Sequence, residues 1–138
     1  MTAPSLVRFQ GERIQSDMDL FTLREETIRL AREVGFPELA VTQLNALVAE
    51  VARKLLMRRQ GASCYVARCR SKGRVGLEIV VIVSGMEEEA VRKTLESNSE
   101  FFWREGNRVI CERSILDLVR VLAPADHGAQ VELIKWKS

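Results

Sequence analysis

The stretch Val41–Arg58, VTQLNALVAEVARKLLMR, constrains this chain most. Val41, Leu44, Val48, Val51 and Leu55 recur at alternating spacings of three and four, the period of one buried helical face, and no Pro or Gly interrupts them. Such a helix must lay its apolar stripe against something, so the rest of the chain has to supply a sheet or further helices. Glu50 and Lys54 stand one turn apart on another face, where a carboxylate and an ammonium can meet.

The flanking chain provides those partners. Residues 5–15 read as an opening strand. Ser16 or Asp17 can cap a helix over Met18–Val34, with Leu20, Leu23, Leu30 and Val34 inward and Gly35, then Phe36-Pro37, closing it. After Gly61, residues 62–70 and 75–84 read as a hairpin about Ser71-Lys72-Gly73-Arg74. The apolar run Ile79–Val83 marks its second strand as central. Glu87, Glu88 and Glu89 open a short helix through Leu95, where acidic groups complement the helix dipole. Residues 96–107 show no clean period and are read as irregular. Val109–Leu122 reads as a helix, Pro124–Gly128 as a turn and residues 129–136 as a final strand. The expected order β-α-α-β-β-α-α-β is an α/β (α+β) two-layer sandwich, with a mixed, largely antiparallel four-stranded sheet covered on one face by helices. Residues 1–138 form one domain by length.

Composition excludes several classes. A net charge of +2 gives no bulk field for nucleic acid or membrane, and no apolar run is long enough to span a bilayer. The first thirteen residues, MTAPSLVRFQGER, lack the apolar core of a signal peptide, so a cytoplasmic location is expected. Cys64, Cys69 and Cys111 fall in no metal spacing and read as reduced, buried thiols. His127 has no acidic or nucleophilic neighbour at a catalytic spacing, and Ser84 beside Gly85 is not in a GxSxG elbow. The basic runs Arg53-Lys54…Arg58-Arg59 and Arg68, Arg70, Lys72, Arg74 read as a solvated face or a basic patch.

The segment Asp17–Lys54, with REVGF (32–36) leading into LVAEVARK (47–54), resembles the anti-sigma-factor serine/threonine kinases of bacterial partner switching, and within them the switch kinase of the stressosome. GLEIVV (76–81), Gly85 and the terminal IKW (134–136) fit the same pattern, so the resemblance runs along nearly the whole chain. It implies the GHKL superfamily and its Bergerat ATP-binding fold. It also implies three nucleotide motifs, each altered here. Glu50 matches the family's Glu, which acts as or orients a base, but Lys54 occupies the position of the Mg²⁺-holding Asn. An ammonium has three donors and no lone pair, so it cannot ligate the metal.

The adenine-reading Asp-x-Gly-x-Gly corresponds to Val83-Ser84-Gly85-Met86-Glu87, where only Gly85 survives. The Gly-rich lid corresponds to residues 101–108, where Phe101, Phe102 and Trp103 stand and Gly106 alone remains. Lys54, Val83, Gly85 and Gly106 thus mark a degenerate nucleotide site. Glu50 and Lys54 read as an ion pair filling the metal position, or Lys54 as a fixed cation for phosphate. Phe101, Phe102 and Trp103 read as a plug over the pocket or as an exposed anchor for a partner. The implied activity is partner switching by protein binding, without cofactor, on a STAS-domain antagonist, a sigma factor or a PP2C-type phosphatase regulatory domain. The alternative is an active kinase using ATP and Mg²⁺, with Glu50 catalytic.

Overall fold

A computed structural model describes residues 12–13, 17–55, 62–97, 99–123 and 128–137. Most of the expected opening strand, and Arg58, Arg59, Gly61 and His127, lie outside the described residues. In chain order the elements are β1 (Glu12–Arg13), α1 (Asp17–Val34), α2 (Glu38–Leu55), β2 (Ala62–Ser71), β3 (Arg74–Val83), α3 (Glu88–Glu96), β4 (Phe102–Glu105), β5 (Arg108–Cys111), β6 (Leu118–Leu122) and β7 (Ala129–Trp136).

Helix α1 ends as its sequence dictates. Gly35 takes φ +99°, its N–H reaches the Arg32 carbonyl at 3.0 Å, and the Phe36 N–H reaches the Ala31 carbonyl at 3.2 Å. This is a Schellman closure, and Gly is the residue that reaches such a φ without strain. Helix α2 then buries Val41, Leu44, Val48, Val51 and Leu55, each 3% exposed or less.

The main sheet has the order β1-β2-β3-β7-β6, and every described pairing in it is antiparallel. Lys72 (φ +52°) and Gly73 (φ +79°) make the two-residue link between β2 and β3, with the sign pattern of a type I′ hairpin turn. Strand β3 is central, as its apolar run requires. Ile79, Val81 and Val83 point into the core with Cys64 and Val66 of β2, Val131 and Leu133 of β7, and the buried stripes of the three helices. At about 25 cal/mol per Å² of apolar surface, this shared core is the main source of stability. All three cysteines are buried and free, and burial raises the thiols of Cys64 to about 12 and of Cys69 and Cys111 to about 11.

The sheet, expected to be mixed, is antiparallel in every described pairing, and two further expectations fail after α3. The stretch 96–107 is not irregular, because β4 and β5 pair as a separate two-stranded sheet. Gly106, at φ +65°, and Asn107 form its two-residue tip between the paired Glu105 and Arg108. The helix expected over Val109–Leu122 is instead β5, a turn and β6. Val109 and Cys111 are buried around a half-buried Ile110, and Val119 and Val121 pack on the core while Leu118 and Arg120 face out. This is a period of two carried by β-branched residues, which the looser three-and-four spacing of Ile115, Leu118 and Leu122 obscures. The sheet is therefore five-stranded with an added hairpin, and three helices are present among the described residues.

Candidate functional site

The site is built from the outward edge of α2 and the segment that follows α3. The helical period holds Glu50 and Lys54 one turn apart, with Lys54 Nζ 3.7 Å from Glu50 Oε2 and side chains 23% and 20% exposed respectively. Neither faces open water alone. The Lys54 ammonium also donates to the carbonyl of Ser97, the residue that caps the C-terminal end of α3. A cation there complements the negative end of the helix dipole.

Two residues on, the Ser99 hydroxyl donates to Glu50 Oε2 at 2.5 Å. Ser99 Oγ in turn accepts the backbone N–H groups of Phe101 at 3.0 Å and Phe102 at 3.1 Å. Ser99 thus joins the α2 carboxylate to the entry of β4 through one atom. Sequence reasoning singled out neither Ser97 nor Ser99. The usable signal was a serine two and three residues ahead of a new strand, the spacing at which a hydroxyl satisfies nearby amides.

The aromatic triplet divides by strand alternation. Phe102 is 4% exposed and belongs to the core, and Phe101 packs partly against it. Trp103 points the other way, 42% exposed, with Nε1 donating to Glu105 Oε2 at 3.3 Å. Phe102 is thus a core side chain and Trp103 a surface one, with Phe101 between them.

Arg104 ties the hairpin back to α3. Its guanidinium grips both Glu89 oxygens at 2.9 and 3.2 Å, lies 3.5 Å from Glu96, and donates to the Gly106 carbonyl. Hydrogen bonding from Arg104 holds the Glu89 carboxyl below the usual carboxylate range. Gly106 therefore sits at the tip of a strand pair and serves as an acceptor there.

Val83 ends β3 fully buried. A Cβ on Gly128 would stand 2.4 Å from the Val83 carbonyl oxygen, so the chain passes close over the end of the strand. Gly85 turns at φ +79°, and a Cβ there would meet nothing within 4 Å. Glu87 is the N-cap residue of α3, and its side chain makes no capping hydrogen bond. Among the described residues no group of three or more His, Cys, Asp or Glu side chains is placed to hold a metal ion. No described helix is long and apolar enough to cross a membrane.

Together these features define a two-layer α+β protein with a carboxylate–ammonium pair on its second helix, closed over by a serine and a hairpin. Against known proteins, the chain is 21% identical over 124 residues to the serine/threonine-protein kinase RsbT of Bacillus subtilis (strain 168), a match covering 90% of this chain and 93% of that protein. No family model matches the chain, and no solved structure matches it.

Proposed function

We propose that this chain is a partner-switching regulator built on the Bergerat-type fold of the anti-sigma-factor kinases, acting by protein–protein binding from a nucleotide site that has lost its chemistry. The end-to-end similarity to a serine/threonine-protein kinase supports the family. What supports the loss is Lys54, which the resemblance puts at the metal-ligand position and whose ammonium is held between Glu50 and the Ser97 carbonyl.

The residues present do not fit Mg-ATP. An ammonium carries no lone pair for Mg²⁺ and repels it. The side chain at the adenine-reading position is the fully buried hydrocarbon of Val83, which offers an exocyclic amine no acceptor. The region matching the lid is a paired hairpin, in which the amides that β4 and β5 turn toward each other are already bonded. No phosphoryl-transfer step is derived from such a site.

What remains is a surface: Glu50 and Lys54 at the helix edge, Phe101 at the base of the hairpin and Trp103 on its outer side. An exposed Trp103, on a hairpin joined through Ser99 to a partly shielded ion pair, suits an interface anchor. The partners that the resemblance implies are a STAS-domain antagonist, a sigma factor or the regulatory domain of a PP2C-type phosphatase, bound in mutually exclusive fashion. Isothermal titration with Mg-ATP, beside titration with a STAS domain, tests this reading. Binding of the protein domain without micromolar, metal-dependent ATP binding is the expected result.

A second reading is an active kinase, favoured by the retained Glu50 and by the activity in the relative's name. Metal-dependent transfer of labelled phosphate from ATP to a STAS-domain serine would establish it and overturn the first.

A further inference from the structure

The sheet has a second face, opposite the helices. Cross-strand partners share a face, so the register sets out its rungs: Tyr65–Val80–Glu132–Arg120 and Ala67–Glu78–Ile134–Leu118 are adjacent, with Ser63–Ile82–Gln130–Leu122 beyond the first. Ala67, Val80 and Ile134 are buried there but stand outside the core cluster that the helices share. Leu118 is 36% exposed, and Tyr65, Ile82 and Leu122 are partly exposed, so the face is apolar around its charged rung.

Glu78 lies in the middle of this face. It is 4% exposed, and its Oε1 is buried without a hydrogen-bond partner among the described residues. Two cations on the same face whose side chains are described, Arg120 and Arg74, are committed elsewhere. Arg120 is bonded to Glu132, with Nε at 3.0 Å, and the Arg74 guanidinium lies 4.4 Å from the centroid of the Trp136 ring. A buried carboxylate oxygen left without a donor costs stability. A fold keeps such a group at no structural benefit, which points to a donor arriving from outside.

We propose that this face, which carries no helix among the described residues, docks a partner protein that presents a lysine or arginine, flanked by apolar side chains, to Glu78. Depth selects the donor: a group 4% exposed among larger neighbours is reached by a long stem with a charge at its tip. Charge selects against a second copy of this chain, which would bring another unmatched Glu78 carboxylate to face the first. The inference rests on the partner-binding reading above and adds to it a second surface on the opposite layer from Lys54 and Trp103.

The test pans a displayed library of random linear peptides on the full chain. Retained peptides are expected to carry a Lys or Arg between apolar residues. They should lose roughly tenfold or more in affinity on Glu78→Gln and on Leu118→Asp, and bind Arg32→Ala unchanged. Because Glu78→Gln removes an unpaired buried charge, its thermal midpoint at neutral pH should rise, which separates lost recognition from lost folding. Four results overturn the proposal: peptides without basic enrichment, equal binding to Glu78→Gln, no retained peptide sensitive to Leu118→Asp, or a lowered midpoint in Glu78→Gln. A dimer in sedimentation that Leu118→Asp dissociates assigns the face to a second copy and overturns it too. None of these touches the titrations with Mg-ATP and a STAS domain, so the two readings fail separately.

Discussion

Ser99 donates its hydroxyl to Glu50 across 49 residues of chain, and the same oxygen takes the N–H groups of Phe101 and Phe102. One atom therefore fixes the distance between α2 and the start of the hairpin. Ser99→Ala removes the acceptor for two amides at once and leaves a part-buried carboxylate short of a donor. The expected loss is about 1–3 kcal/mol, read from urea denaturation, with faster hydrogen exchange at the Phe101 and Phe102 amides. Unchanged exchange there would mean that the hairpin is held by its other contacts alone.

The aromatic triplet gives a paired test. Phe102→Ala should cost about 3–5 kcal/mol, as expected for emptying a buried ring site. Trp103→Ala, on the exposed side of the same strand, should change stability by no more than about 0.5 kcal/mol. If the hairpin is the anchor proposed, the Trp103 variant instead weakens binding to a STAS domain by at least roughly tenfold in titration.

If residues 54 and 83 stand at the metal and adenine positions as proposed, Lys54→Asn supplies an oxygen at the first without supplying an acceptor at the second. Calorimetry should therefore detect no micromolar Mg-ATP binding to this variant. A strong metal-dependent signal would show that the ammonium alone had closed the site.

The hairpin anchor is pH-dependent. The hydrogen bonds from Arg104 depress the Glu89 carboxyl, so the folded form binds that proton less readily than the unfolded chain. Its stabilising contribution is present above the unfolded carboxyl value of 4.5 and is lost as pH falls through the lower folded value. Trp103 fluorescence and hairpin exchange rates should shift below that range, and Arg104→Gln should abolish the shift.

Glu78 has the opposite sign. Burial raises its carboxyl above the ordinary 4.5, Glu132 adds to the rise and Arg120 opposes it, with Tyr65 and Cys69 as the titratable neighbours on β2. Its contribution is fully present below 4.5 and is lost as pH rises through the folded value. The stability advantage of Glu78→Gln over the natural chain should therefore grow with pH across that window, as followed by thermal unfolding.

Local patterns in the first half of the chain were strong enough to read directly. Helix α1 has a capping stretch, a stripe and a glycine stop, α2 has an uninterrupted stripe, and β2–β3 has its Lys-Gly turn. Past α3 they were not. Residues 102–111 alternate over only four positions a strand, too few to outweigh the bulky, charged look of the stretch. Glu50 and Lys54 were legible because helical spacing is a one-dimensional rule. Their closure by Ser97 and Ser99 was not, since it joins segments 43 and 49 residues apart that only the tertiary fold brings together. The orphaned Glu78 was hidden for a related reason: a single acid in an apolar strand says nothing of whether a cation lies opposite.

The position of β7 sets a rule for synthesis. This strand, residues 129–136, lies between β3 and β6, although β6 precedes it in the chain. A nascent chain that has emerged only through Leu122 has helices ready to pack but two strands with bare flanks and no neighbour to fill the gap. Such an intermediate is exposed to wrong pairing until translation supplies the missing ribbon. A chain truncated before residue 129 would therefore give a far lower soluble yield than the full sequence.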